Sequence, residues 1–328
     1  MKKLLKISGL VIVIGVGLYA AWWAWVVNEY KQHLPITQIT VNGVERQYHR
    51  FIPTKDSNGP QSLMVLLQGG SAGSWRFPQQ FYWEALAEEE GIVVAVPVGK
   101  LVPPNEGAWQ LNTGPDSMQD IDFFNAMIDE ISAEHDIDPT RIYAVGYSLG
   151  SMFSYELACQ MSTRFAAIAS FAGTMPVAPK SCEPERNVPI MHIHGADDGI
   201  IAYGRTWDWK SWDSVGTMWD IPSLVQYWGD KFNCTNQSET QSDTSGHLVY
   251  DNCDQNARVE HHRIEAGTHE WPENINGVST HHVIWTFLSG FSIPSCNNDC
   301  STWLELTTTG SFSAQAASRH DQWRPAVL

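Results

Sequence analysis

Two stretches of the chain share the pattern Gly-x-Ser-x-Gly: Gly69-Gly70-Ser71-Ala72-Gly73 and Gly146-Tyr147-Ser148-Leu149-Gly150. A serine at the centre of that pattern, on a sharp strand-to-helix turn, is presented as a nucleophile. To attack a carbonyl it needs a base for its proton and a carboxylate to orient the base. It also needs backbone N–H groups facing the developing oxyanion. The stretch "HGADDGIIAY" supplies Asp197 and Asp198, and "EAGTHEWP" supplies His269. Serine, then acid, then histidine is the chain order that one such strand-and-helix architecture uses.

The elements that must hold these residues choose between the two serines. "ITQITVNGVERQYHRFIP" (Ile36–Pro53) reads as a hairpin turning at Asn42-Gly43. The continuous apolar runs Ser62–Leu67, Ile92–Pro97 and "RIYAVGY" read as strands buried on both faces. Ser71 therefore follows the third strand, and Ser148 follows the fifth. Further strands are expected at Phe165–Gly173, Val188–Gly195 and Val259–Gly267. Helices are expected at "FYWEALAEEE", stopped by Gly91, at "DSMQDIDFFNAMIDEISAEHDI", at "SMFSYELACQM" and at "STHHVIWTFLSGF". Alternation of this kind predicts a mostly parallel central sheet with helices on both faces.

In the α/β-hydrolase fold the nucleophile sits after strand five, and the loop after strand three lends an amide to the oxyanion hole. Ser148 is therefore the expected nucleophile. Gly70 and Leu149 are the expected amide donors, and the first Gly-x-Ser-x-Gly is the oxyanion loop. Ser148 also leads directly into a helix, whose N-terminal dipole favours an alkoxide. Among the twelve histidines, only His269 lies on a loop after a strand and downstream of the acids. His192 and His194 precede them, His261 and His262 lie within a strand, and His281 and His282 within a helix. His192-x-His194 could also face a zinc ion, but a core strand with polar tips is the reading adopted, and no metal or cofactor is expected.

The N-terminus carries Lys2, Lys3 and Lys6 before an uncharged stretch from Ile7 to Val27. That length spans a bilayer, and the lysines predict export of everything beyond it. Residues 1–30 are thus expected to be a hydrophobic anchor helix or a cleaved signal, leaving the body membrane-anchored or secreted on the periplasmic or extracellular face. All six cysteines lie after this segment, and an even number in an exported chain argues for disulfides. Cys296 and Cys300 could close a small loop. A net charge of −16 makes nucleic acid a poor partner. Fifteen tryptophans exceed what a core alone asks for, and four fall in Tyr203–Asp220, which reads as an insertion. Residues 31–294 form the expected catalytic domain, and 295–328 an extension without periodicity.

"DIDPTRIYAVGYSLGSMFSYELACQ", "RFAAIASFAG", "HGADDGIIAY" and "AGTHEWP" resemble the polyhydroxybutyrate depolymerase, feruloyl esterase and acetylxylan esterase group of α/β-hydrolases. The resemblance runs from about Val44 to Phe291. It implies Asp198 as the acid, with Asp197 the neighbouring alternative, and His269 with Trp271 in the histidine motif. It also implies the disulfides Cys159–Cys182 and Cys234–Cys253. The chain departs from the group in having Gln68 where a histidine is usual after strand three, and in the tryptophan-rich insertion. That insertion reads equally as a lid or aromatic platform or as a structural cap. Trp109, Trp207 and Trp271 are the candidate substrate contacts. The implied activity is ester hydrolysis through an acyl-enzyme, on a small or polymeric feruloyl, acetyl or hydroxyalkanoate ester. Acyl transfer or peptide hydrolysis with the same triad is the alternative, as is a non-catalytic envelope protein that binds carbohydrate or polymer.

Overall fold

The computed structural model describes residues 15–24, 32–55, 59–70, 76–100, 109–112, 114, 118–208 and 215–294. By backbone contacts the chain divides into Met1–Ile293 and Pro294–Leu328. The Cys296–Cys300 pair and the expected extension 295–328 lie outside the described residues. Residues 15–24 form a helix, α1, exposed along its length. No described helix is long and apolar enough to cross a membrane. The remainder of the expected anchor, 7–14 and 25–27, is outside the described residues.

The expected hairpin is β1 (Ile36–Val41) and β2 (Val44–Phe51), paired antiparallel. Its turn places Asn42 and Gly43 at positive φ, as a two-residue hairpin loop requires. Then follow β3 (Gln61–Leu67), α2 (Gln80–Glu90), β4 (Val93–Pro97), α3 (Gln119–Glu134), β5 (Ile137–Tyr147), α4 (Leu149–Gln160), β6 (Ala167–Phe171) and β7 (Ile190–Gly195). Two short strands, β8 (Trp207–Asp208) and β9 (Thr217–Met218), pair with each other. After α5 (Ile221–Lys231) come β10 (Asn236–Gln241), β11 (Ser245–Asp251), β12 (Val259–Ile264), the two-residue strands β13 (Asn274–Ile275) and β14 (Val278–Ser279), and α6 (Thr280–Leu288).

Ten strands make one sheet in the order β1-β2-β4-β3-β5-β6-β7-β12-β11-β10. The pairs from β4 to β12 are parallel, and the two edges are antiparallel. Period-two alternation splits the apolar strands between two cores. Leu63, Val65 and Leu67 of β3 pack with α3 and α4, while Met64 and Leu66 pack with α2 and α6. Helix α4 is buried from Leu149 to Cys159, which is why its sequence shows no polar stripe. The disulfides Cys159–Cys182 and Cys234–Cys253 are both formed.

Two elements lie beyond the sequence reading, and a third is fixed by its surroundings. Helix α5 begins where the tryptophan-rich stretch ends, capped by the Asp220 side chain on the Ser223 amide, with a proline in its first turn. The β10–β11 hairpin extends the sheet although every residue of β10 is exposed. The Tyr203–Asp220 stretch is fastened at both ends: the Tyr203 hydroxyl lies 3.0 Å from His261 Nε2, Val215 and Met218 are in the core, and Trp219 packs against Tyr227. Residues 209–214 within it are outside the described residues.

Candidate active site

The parallel strands end on one edge of the sheet, and the chain crosses from β3 to β4 on one side and to β5 on the other. Such a switch point opens a crevice at the carboxyl ends of the strands. Gly69 and Gly70 follow β3, Ser148 follows β5, Asp198 follows β7, and His269 follows β12. All four loops reach the same place.

Ser148 sits between β5 and α4 with φ 53° and ψ −117°, a conformation that costs a non-glycine residue on the order of 1–3 kcal/mol. Its amide donates to the Phe171 carbonyl at 2.9 Å, tying the turn to β6. That bond removes the Ser148 N–H from any oxyanion role. The Leu149 amide, in the first turn of α4, has no helical partner to lose. Gly70 lines the same cleft as Ser148. Ser71, Ala72 and Gly73 lie outside the described residues.

His269 Nδ1 donates to Asp198 Oδ2 at 2.8 Å, and its Nε2 lies 2.9 Å from Ser148 Oγ. A carboxylate can only accept, so the ring proton is on Nδ1 and Nε2 is left to accept from the serine hydroxyl. Asp198 Oδ1 accepts from the amides of Ile200 and Ile201 at 2.8 and 2.9 Å. Burial pushes this carboxyl up, but His194, His269 and the Ile201 amide outweigh it and hold Asp198 well below the usual carboxylate range. Asp197 is exposed. Of the adjacent pair, Asp198 is the one hydrogen-bonded to His269.

Asp198 and His269 meet because their loops cross without side chains between them. A Cβ on Gly195 would fall 2.3 Å from the Gly267 carbonyl oxygen, and Asp197 N donates to that same oxygen at 2.8 Å. Tyr147 adds a second clamp: its hydroxyl donates to the His269 carbonyl at 3.1 Å. Tyr147 directly precedes Ser148 in the motif, and that position is the signal by which the sequence marks it.

The candidate substrate contacts separate. Trp271 lines the cleft with Phe77, Phe81, Tyr82 and Tyr147, in a space of about 850 Å³. Trp109 does not: it is 1% exposed, and its Nε1 donates to the Gln68 carbonyl at 2.9 Å. It props the loop after β3 from beneath. Trp207 is half-buried against the α3–α4 core and is not among the residues lining the cleft. Away from the cleft, His247, Glu260 and His262 lie close enough to share an ion. The two imidazoles are stacked at 4.1 Å and only 7° from parallel, so their lone pairs do not converge on one point.

The family model described as phospholipase/carboxylesterase matches residues 114–209. A bifunctional acetylxylan esterase/xylanase of Neocallimastix patriciarum is 24% identical over 81% of this chain and 35% of its own length. Feruloyl esterase B of Piromyces equi is 27% identical over 69% of this chain and 41% of its own. The chain thus spans less than half the length of these curated relatives. An acetyl xylan esterase structure from Aspergillus awamori superposes with a TM-score of 0.55 at 12% identity, covering 78% of this chain and 99% of that one. The chain has the α/β-hydrolase fold, and the relatives it resembles are acetylxylan and feruloyl esterases.

Proposed function

We propose that the protein is an exported serine carboxylic-ester hydrolase that works through a Ser148–His269–Asp198 triad. The observation that carries this reading is the unbroken series from Ser148 Oγ to His269 Nε2 and from His269 Nδ1 to Asp198. It stands in an open cleft beside the loop after β3. Ser148 Oγ attacks the ester carbonyl carbon, and His269 Nε2 takes the hydroxyl proton. The tetrahedral oxyanion is held by the amides of Gly70 and Leu149, each worth on the order of 10²–10³ in rate. His269 returns the proton to the departing alkoxide, leaving an acyl-serine and a free alcohol. Water, deprotonated by His269, then hydrolyses the acyl-serine and regenerates Ser148. No cofactor takes part in this sequence.

The names of the relatives and the aromatic wall formed by Phe77, Tyr147 and Trp271 support feruloyl or acetyl esters of polysaccharide as substrates. Hydroxyalkanoate polyesters remain within the same chemistry. Residues 31–294 are the proposed catalytic domain. The basic, then apolar N-terminus and the two disulfides support export, with the body either held at the membrane by that segment or released. The test is hydrolysis of aryl acetate and butyrate, methyl ferulate, acetylated xylan and polyhydroxybutyrate by the wild type and by Ser148→Ala. Turnover that disappears in the variant supports the proposal, and the ratio of rates selects the acyl group. A folded wild type inert on every ester would refute it.

A further inference from the structure

Behind Asp198 the sheet carries a row of histidines that the hydrolytic cycle does not use. His194 and His192 alternate along β7 with their rings toward the α4 side, and both are 0% exposed. His194 Nε2 lies 2.9 Å from the Ile201 carbonyl oxygen and 3.3 Å from Asp198 Oδ2. His192 Nε2 lies 3.2 Å from His194 Nδ1. His192 Nδ1 faces the hydroxyls of Tyr155 at 2.7 Å and Ser170 at 3.1 Å. On the neighbouring strand, His261 Nδ1 is 3.1 Å from the His192 carbonyl, and its Nε2 is 3.0 Å from the Tyr203 hydroxyl.

The acceptors fix the protons. A carbonyl can only accept, so His194 Nε2 bears a hydrogen that it donates to Ile201 O, 3.3 Å from Asp198 Oδ2. Burial, with His194 and His261 alongside, suppresses the charged form of His192, so that ring holds one proton. Placing it on Nε2 lets it donate to His194 Nδ1 and leaves Nδ1 to accept from Tyr155. The opposite placement would require His194 to carry both ring protons, an imidazolium with no exposed surface. The neutral arrangement runs one way: Tyr155 O–H to His192, His192 to His194, and His194 to the Ile201 carbonyl, with the His194 N–H beside the acid. By the same reasoning His261 is protonated on Nδ1 and accepts from Tyr203. Buried dipoles in series polarise one another in the low dielectric.

We infer that His194 is a positioning residue for the triad acid: its Nε2–H, set by the Ile201 carbonyl and by the His192–Tyr155 pair behind it, keeps the Asp198 carboxylate charged and aimed at His269. The inference rests on the ester-hydrolase reading for its kinetic consequence, but not for its structural one. Asp198 Oδ2 then faces two imidazole N–H groups, accepting from His269 at 2.8 Å and lying 3.3 Å from that of His194, while Oδ1 is held by two amides.

Two substitutions of similar size separate positioning from packing. Glutamine at 194 returns an N–H near the place of Nε2, whereas asparagine supplies a polar group only near Nδ1. His194→Asn is expected to lower kcat on an aryl ester on the order of 10–100-fold with KM little changed, the loss of one hydrogen bond to a charged group. The acid limb of kcat/KM should move to higher pH, because a carboxylate short of a donor binds the proton it shares with His269 more tightly. His194→Gln should restore most of kcat and return the limb to its place. Proton and nitrogen NMR of histidine-labelled protein reads the same point without turnover. Nε2–H tautomers are expected at His192 and His194, with a downfield His269 Nδ1 proton that persists in His194→Gln and weakens in His194→Asn. Should His194→Asn fail to fold, Tyr155→Phe deletes one oxygen from the far end of the row, and a few-fold fall in kcat with loss of the single His192 tautomer is expected. Equal activity loss in the Asn and Gln variants with an unmoved limb would overturn the inference, as would an imidazolium signature at His194. A wild type inert on every ester would instead sink the hydrolase reading, leaving the tautomers to decide this one.

Discussion

Exchanging Asp198 for asparagine is the sharpest perturbation the geometry offers, because the surroundings dictate how the new amide must lie. Oδ1 accepts from the Ile200 and Ile201 amides, so the amide oxygen is held there and the NH₂ must occupy the place of Oδ2. It then faces His269 Nδ1, which can remain bonded only by accepting. Acceptance at Nδ1 moves the ring proton to Nε2, where it points at Ser148 Oγ. The base is thereby spent before the reaction begins. A triad that keeps its geometry but takes the wrong tautomer loses about 10⁴ in kcat, about 5 kcal/mol of transition-state stabilisation. The NH₂ also meets His194 Nε2–H, donor against donor, which costs about 1–3 kcal/mol of stability. The assay is kcat on an aryl ester per folded protein, with thermal unfolding alongside and Asp197→Asn as the control. Asp197 is exposed, so its variant should match the wild type. If Asp198→Asn keeps kcat within about tenfold of wild type, the tautomer reasoning fails and Asp198 is not the orienting acid.

Three further outcomes follow from packing, titration and cross-linking. A Cβ on Gly150 would sit 2.1 Å from the Leu67 carbonyl oxygen, so Gly150→Ala must push α4 off the end of β3. The expected cost is about 1–3 kcal/mol in urea unfolding together with a large fall in kcat/KM, and an unchanged variant would show that the turn is not close-packed. Glu156 is buried and accepts from Asn112 N and Gln160 Nε2 at 2.7 Å each, yet burial pushes its carboxyl up from 4.5 to about 7. The folded state thus holds a proton that the unfolded state releases. Its stabilising share is complete below pH 4.5 and declines as pH rises through about 7, a change of about 3 kcal/mol. Glu156→Gln should remove that slope from unfolding free energies measured at pH 5 and 7.5. Finally, Cys159–Cys182 and Cys234–Cys253 close spans of 23 and 19 residues. Replacing either pair by alanine should cost about 3 kcal/mol, read as a lower melting temperature that no longer responds to reductant for that bridge.

The parts of this molecule that could be read from its sequence are those where one physical demand acts alone. Strands buried on both faces must be apolar throughout, so β3, β4 and β5 were visible as runs, and counting them placed Ser148. Where demands compete, the pattern is silent. Strand β10 is a polar edge with no buried face, and its pairing with β11 comes from tertiary context. Helix α5 carried a cap and a proline, but its start is masked by the tryptophans before it. Asp197 and Asp198 are adjacent, and only the turn that points one of them inward decides between them. Trp109 has the composition of a substrate contact and the burial of a prop. On spacing the His192-x-His194 pair read as a core strand with polar tips in preference to a zinc site. Its place beside the Ile201 carbonyl and Asp198 is not visible in that spacing.

The same site shows why a strained serine is stable where it stands. Positive φ at Ser148 is opposed by bonds that would all be lost if the turn relaxed. Its amide is bound to Phe171 on β6, and its carbonyl accepts from Met152 N in α4 at 3.0 Å. The side chain before it grips the His269 backbone through the Tyr147 hydroxyl. Each bond reaches a different element, so no single local rearrangement relieves the strain. The polar row behind Asp198 is built on the same logic, with partners drawn from α4, β6, β7 and β12. A site assembled this way can hold a charge, a strained turn and a fixed tautomer together. Its cost is that most of its positioning groups are buried and indistinguishable in composition from core.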